Sequence, residues 1–124
     1  MNGLTLDTGA LIALERRRDR ILRALRVART HGLTISSPSP VITEWWRGRT
    51  DTRERVLEFL RVDPVDPELA RIAGEALASV PGATAIDAIV MASAARRGDL
   101  VYTSDIDDLT RLQRHFPSVR VLAT

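Results

Sequence analysis

The chain has 124 residues, 44% of them hydrophobic, and a formal net charge of +2. That length fits one domain, 1–124, with a sizeable core and leaves no room for a second. It contains no cysteine and only two histidines, His31 and His115, which excludes disulfides, thiolate metal sites and a histidine-built zinc centre.

Gly3–Leu6 predicts a short strand ending at Asp7, and Thr8–Arg17 a helix with Leu11, Ile12 and Leu14 apolar. Arg20–Thr30 places Ile21, Leu22, Leu25 and Val27 on a helical period, with Gly32 as the stop. Leu33–Ser36 reads as a second strand, SSPSP as turn chemistry, and Pro40 as the first position of a helix to about Arg47. Asp51–Leu60 is helical and Arg61–Val65 a third strand. Pro67–Ser79 is a helix, VPGAT a loop, and Ala85–Arg97 a helix apolar nearly all round, stopped by Gly98. Leu100–Thr103 is a strand, Asp108–Phe116 a helix and Val119–Leu122 a last strand. Short apolar strands alternating with helices predict an α/β fold of three layers, α/β/α, with a central parallel sheet of four to five strands.

All 18 basic residues are arginine. The pI of about 10.3 reflects a flat titration curve rather than strong basicity. Without lysine there is no P-loop, and no lysine to stand beside a phosphorylated aspartate. The beginning, MNGLTLDTG, has no basic-then-apolar leader, and no apolar run approaches about 18 residues. The expectation is a soluble cytoplasmic protein without a membrane partner.

In open parallel sheets, ligands bind beyond the carboxyl ends of the strands. LTLD and VYTSD are both strand-then-carboxylate patterns, which puts Asp7 and Asp105 there. Taken singly, Asp7 is a helix N-cap and Glu44, in VITEWWRG, an exposed partner for Arg47. Asp87 is the only charge in TAIDAIVMASAA and forms a capping box with Thr84. Ser104 with Asp107, and Asp105 with Asp108, are box-like too. Taken together, Asp7, Glu44, Asp87 and Asp105 approach one sheet end, where their mutual repulsion calls for cations. Oxygen-only ligation favours Mg²⁺ or Mn²⁺, as in metal-assisted phosphodiester hydrolysis.

The segments LDTGALIAL, SPSPVITEWWRG, AIDAIVMASAARRG and LVYTSDIDDL, in that order, resemble the PIN-domain family. Within it they are similar to the VapC-like ribonuclease toxins of type II toxin–antitoxin systems. The resemblance covers nearly the whole chain. It implies a Mg²⁺-dependent endoribonuclease, with Mn²⁺ able to substitute, that hydrolyses RNA phosphodiester bonds with a metal-activated water. Asp7 and Asp87 would be the core metal ligands, with Glu44 and Asp105 completing the quartet directly or through water. Thr103 would orient a water, and Asp108 matches a further acid of the subfamily. Asp107 is assigned to the surface or the cap. Gly9 stands where many relatives carry serine. Arg47 and Arg49 are the first choices for RNA phosphate contacts, with Arg16–Arg18 behind them.

The implied partners are an RNA substrate and a cognate VapB-like antitoxin, in a homodimer and a toxin–antitoxin hetero-oligomer. Two other readings remain. One is a PIN nuclease that processes cellular RNA without an antitoxin; the other is an inert protein-binding domain. Four acids that repel one another argue against inertness.

Overall fold

A computed structural model describes residues 2–124. Strands β1 (Gly3–Leu6), β2 (Thr34–Pro38), β3 (Arg61–Asp63), β4 (Leu100–Thr103) and β5 (Val121–Ala123) form one sheet in the order β3-β2-β1-β4-β5. Every pairing is parallel, with Thr5 level with both Ser36 and Val101. The helices are α1 (Thr8–Glu15), α2 (Asp19–Thr30), α3 (Ser39–Trp46), α4 (Asp51–Phe59), α5 (Pro67–Ser79), α6 (Ala85–Arg97) and α7 (Ile106–Leu112). The chain winds outward from β1 to β3, then crosses back to β4 and winds the other way. Right-handed crossovers therefore put α1–α4 on one face and α5–α7 on the other, in agreement with the α1–α2, α1–α4, α5–α6 and α6–α7 contacts. The three-layer α/β/α architecture is as expected, with five strands. The winding reverses between β1 and β4, which makes their carboxyl ends the switch point of the sheet.

Several boundaries differ from expectation, each for a physical reason. SSP is strand rather than turn. Ser36, Ser37 and Pro38 are buried, and the Ser37 hydroxyl donates to the Leu6 carbonyl at 2.7 Å. Proline costs no ladder bond at the strand's last residue. Helix α1 stops at Glu15 because Arg17 turns left-handed, at φ 56°. Pro64 confines β3 to three residues. Helix α7 begins at Ile106, two residues early, and ends at Leu112, where the chain tightens into turns before Pro117. Strand β5 starts two residues late because the buried Val119 belongs to that turn, its carbonyl held by the Gln113 amide at 2.8 Å.

Helix α6 lies buried between the sheet and its neighbours, with Val90, Met91, Ala92, Ser93 and Ala94 fully or almost fully covered. Thr84 caps its start by accepting from the Asp87 amide, and Gly98 ends it at φ 70°. Its last turn is anchored to the sheet by charge. Arg97 reaches Asp63 Oδ2 at 2.6 Å, an ion pair outside hydrogen-bond angles. It also binds Asp99 Oδ2 and the Thr5 hydroxyl, each at 3.1 Å. Burial alone would raise Asp63, but the Ser93 hydroxyl, Arg97 and Arg96 outweigh it and hold the carboxyl below its usual range. Among the described residues no helix is long and apolar enough to cross a membrane.

Removing one partner from a buried ion network strands the others. Arg97→Met should cost about 3 kcal/mol or more in urea unfolding, because Asp63 and Asp99 stay buried. The same change at the exposed Arg71 should stay within about 0.5 kcal/mol. Equal effects at the two positions would refute this role for Arg97.

Candidate active site

Asp7 follows β1 and is 7% exposed. One carboxylate oxygen accepts from the Ala10 amide at 2.8 Å and so caps α1. The other accepts from the Thr103 hydroxyl at the end of β4. That hydroxyl in turn accepts from the Asp105 amide at 2.9 Å. Thr103 is fully buried, and its hydroxyl donates to Asp7 while accepting from the Asp105 amide, so it positions Asp7 directly. Capping and site membership therefore coexist in Asp7.

Asp87 is half-buried in the first turn of α6, and Asp105 is exposed at the start of α7. Glu44 is exposed on α3, and its Oε1 accepts from the Thr8 hydroxyl at 2.5 Å. Thr8 thus ties Glu44 to the residue next to Asp7, a role for which its sequence context gave no signal. The expected Glu44–Arg47 ion pair is absent among the described residues; Arg47 donates to the Glu44 backbone carbonyl at 3.1 Å. Trp45 is buried, Trp46 half-buried, and the Trp45 indole donates to Glu15 at 2.9 Å.

The three aspartates of the SDIDD stretch separate. Asp105 occupies the cap position of α7, its carboxylate beside Asp108 but without a well-formed capping bond, and Ser104 makes none to Asp107. Ser104 instead packs on α1, where its hydroxyl lies 1.7 Å from the place a Cβ at Gly9 would take. Asp108 is ion-paired with Arg111, and Asp107 points to the surface. Arg49 pairs at the surface with Asp51 at 3.2 Å and Glu54 at 3.6 Å.

The carboxylates sense one another. Asp7 is pushed up to about 6 from an ordinary 3.8. Burial is the main cause; the Thr103 and Ala10 hydrogen bonds oppose it, and Asp87 and Asp105 add to it. Asp87 is raised too, first by burial, then against the Thr84 hydroxyl, with Asp108, Asp105 and Glu44 adding repulsion. Asp105 is raised mainly by a hydrogen bond with the Asp108 carboxyl. Among the described residues no three such groups already close on one point. A hydrated Mg²⁺ does not require that, since it keeps several waters and takes one or two carboxylates directly. The donor set of Asp7, Asp87, Asp105 and Glu44 is all oxygen. Its most buried member resists ionisation without a counter-charge, so it fits a hard divalent cation.

The sequence model of the PIN domain matches residues 4–114, so the chain belongs to the PIN-domain family, whose members are nucleases. No curated protein sequence matches it. Among solved structures, a chain of VapBC2 from Rickettsia felis, bound to a DNA fragment from its promoter, is 14% identical with a TM-score of 0.79. That match covers 98% of each chain. DNA-bound VapBC from Salmonella typhimurium gives 19% identity and a TM-score of 0.74 over 99% of this chain and 98% of that one. FitAcB from Neisseria gonorrhoeae gives 20% and 0.60 over 96% of each.

The raised Asp7 carboxyl has a consequence for stability. Between about pH 4 and 6 the folded chain holds a proton that the unfolded chain has released. This contribution is complete below about pH 4 and is lost as pH rises through about 6, a total of about 3 kcal/mol. Asp7→Asn, which does not titrate, should therefore gain stability over wild type by about 2–3 kcal/mol between pH 4 and 8 in EDTA. Urea unfolding across that range reads the difference, and a pH-independent difference would refute it.

Proposed function

We propose that the chain is one PIN domain acting as a divalent-metal-dependent endoribonuclease, the toxin of a type II toxin–antitoxin pair. The observation that carries the nuclease reading is Asp7. It is a buried carboxylate at the switch point of a parallel sheet, facing Asp87 and Asp105 and raised to about 6. A nuclease must bring a polyanion to this place, which free carboxylates would repel. Asp7 and Asp87 would hold Mg²⁺ or Mn²⁺, with Glu44 and Asp105 joining directly or through water. When bound, the ion supplies positive charge against the phosphate and lowers the pKa of water.

The chain's own residues do the positioning. Thr103 and the Ala10 amide fix both oxygens of Asp7, and Thr84 holds the first turn of α6 so that Asp87 stays at the sheet end. Thr8 holds one oxygen of Glu44 and leaves the other free to accept from water. Neither histidine is needed to activate a ribose hydroxyl. Arg47 flanks Glu44 within reach of a phosphate.

The toxin reading is supported by the solved relatives, which are VapBC and FitAB assemblies bound to DNA or paired with their partner. It implies a VapB-like antitoxin and assembly as dimers and hetero-oligomers. A ribonuclease assay on structured RNAs tests the activity. Cleavage should require Mg²⁺ or Mn²⁺, stop in EDTA, and fall on the order of 100-fold or more in Asp7→Asn and Asp87→Asn. Activity surviving both substitutions would sink the reading. Mg²⁺ should also raise the melting temperature of wild type and not of Asp7→Asn.

A further inference from the structure

Among the described residues five arginines, Arg49, Arg53, Arg96, Arg97 and Arg111, each face a carboxylate. Of those that do not, four cluster. Arg16, Arg18, Arg20 and Arg23 are exposed, and among the described residues none makes an ion pair or a side-chain hydrogen bond. All four line one groove of about 580 Å³ between the α1–α2 corner and the β4–α7 loop. Asp19 also lines it and is ion-paired to none of them, and Thr124 lies at its edge. Gly9 and Ser104 form its inner wall. Gly9 is two residues from Asp7 and Ser104 adjoins Asp105, so this end of the groove lies next to the segments that carry the carboxylates. Arg16 also lines the neighbouring cleft, where Arg47 stands beside Glu44.

We infer that this groove holds the sugar–phosphate backbone of single-stranded RNA where the strand leaves the acidic site. The inference rests on the ribonuclease reading and specifies which face carries the substrate. Four guanidiniums around one concavity repel each other, and a chain of phosphates relieves that repulsion through bidentate pairing. A protein partner is the less suitable occupant, because four unpaired guanidiniums, not an apolar floor, dominate the lining. A second arginine-rimmed groove, between α1, α2 and α4, has the apolar floor a protein partner would bury: Leu14, Leu22, Leu25, Val56 and Phe59. These four arginines are positioning residues: they set where the strand lies and leave the chemistry to the carboxylates.

The test compares two full-length variants of equal net charge. One changes Arg16, Arg18, Arg20 and Arg23 to Gln; the other changes the exposed Arg61, Arg71, Arg114 and Arg120 to Gln. The probe is a fluorescein-labelled single-stranded RNA, measured by anisotropy in EDTA. The groove variant should bind on the order of 100-fold more weakly, and its log–log salt slope should flatten by about 3. The control should lose less than about 5-fold. With Mg²⁺, KM should rise in the groove variant while kcat holds, and an all-Lys version of the groove should recover the salt slope but only part of the affinity, since lysine does not pair bidentately. Equal losses in the two variants overturn the inference. So does wild-type RNA binding in a groove variant that has lost a protein partner. A wild-type chain that neither binds nor cleaves RNA overturns the ribonuclease reading as well.

Discussion

Burying a carboxylate at the end of β1 is the constraint on which the rest of the structure depends. Desolvation raises the cost of ionising Asp7, and two hydrogen bonds offset only part of it. The bonds come from both sides of the switch point: the first turn of α1 and the last residue of β4. Asp7 is thus a joint between β1, α1 and β4 before it is anything else. The repulsion left over, from Asp87 and Asp105, makes the apo site a poor resting place for negative charge and a good one for a hard cation.

Much of this was legible in the sequence because the signals were local. Strand-then-carboxylate runs located Asp7 and Asp105, and isolation in an apolar helix marked Asp87. Alternation of strands and helices gave the layers. The misreadings came where tertiary contacts override composition. SSP looks like a turn until Ser37 finds the Leu6 carbonyl 31 positions away. The aspartates after β4 look like caps, yet Ser104 is drawn off to pack on Gly9. Asp63 gave no signal, because the partners that make its burial tolerable, Ser93 and Arg96, lie 30 or more residues away.

The arginines divide in a way composition cannot show. Those near Asp63, Asp66 and Asp99 are structural, holding helices to the sheet through charge. Those on the α1–α2 corner are unpaired and face a groove. A chain with a net charge of only +2 can therefore present a cationic surface beside an anionic site. The separation matters, because arginine placed among the carboxylates would neutralise the site internally.

Helix α6 carries one further implication. Asp87 sits in its first turn and Arg97 at its last, about 15 Å apart along a rigid rod. Since Arg97 is fixed to Asp63, Asp99 and Thr5, the far end sets the azimuth of the near one. A single residue inserted between them would turn Asp87 by about 100° and swing its carboxylate out of the site while every anchor stayed in place. The spacing between these two residues is therefore a fixed length in the sequence, as intolerant of insertion as a reading frame.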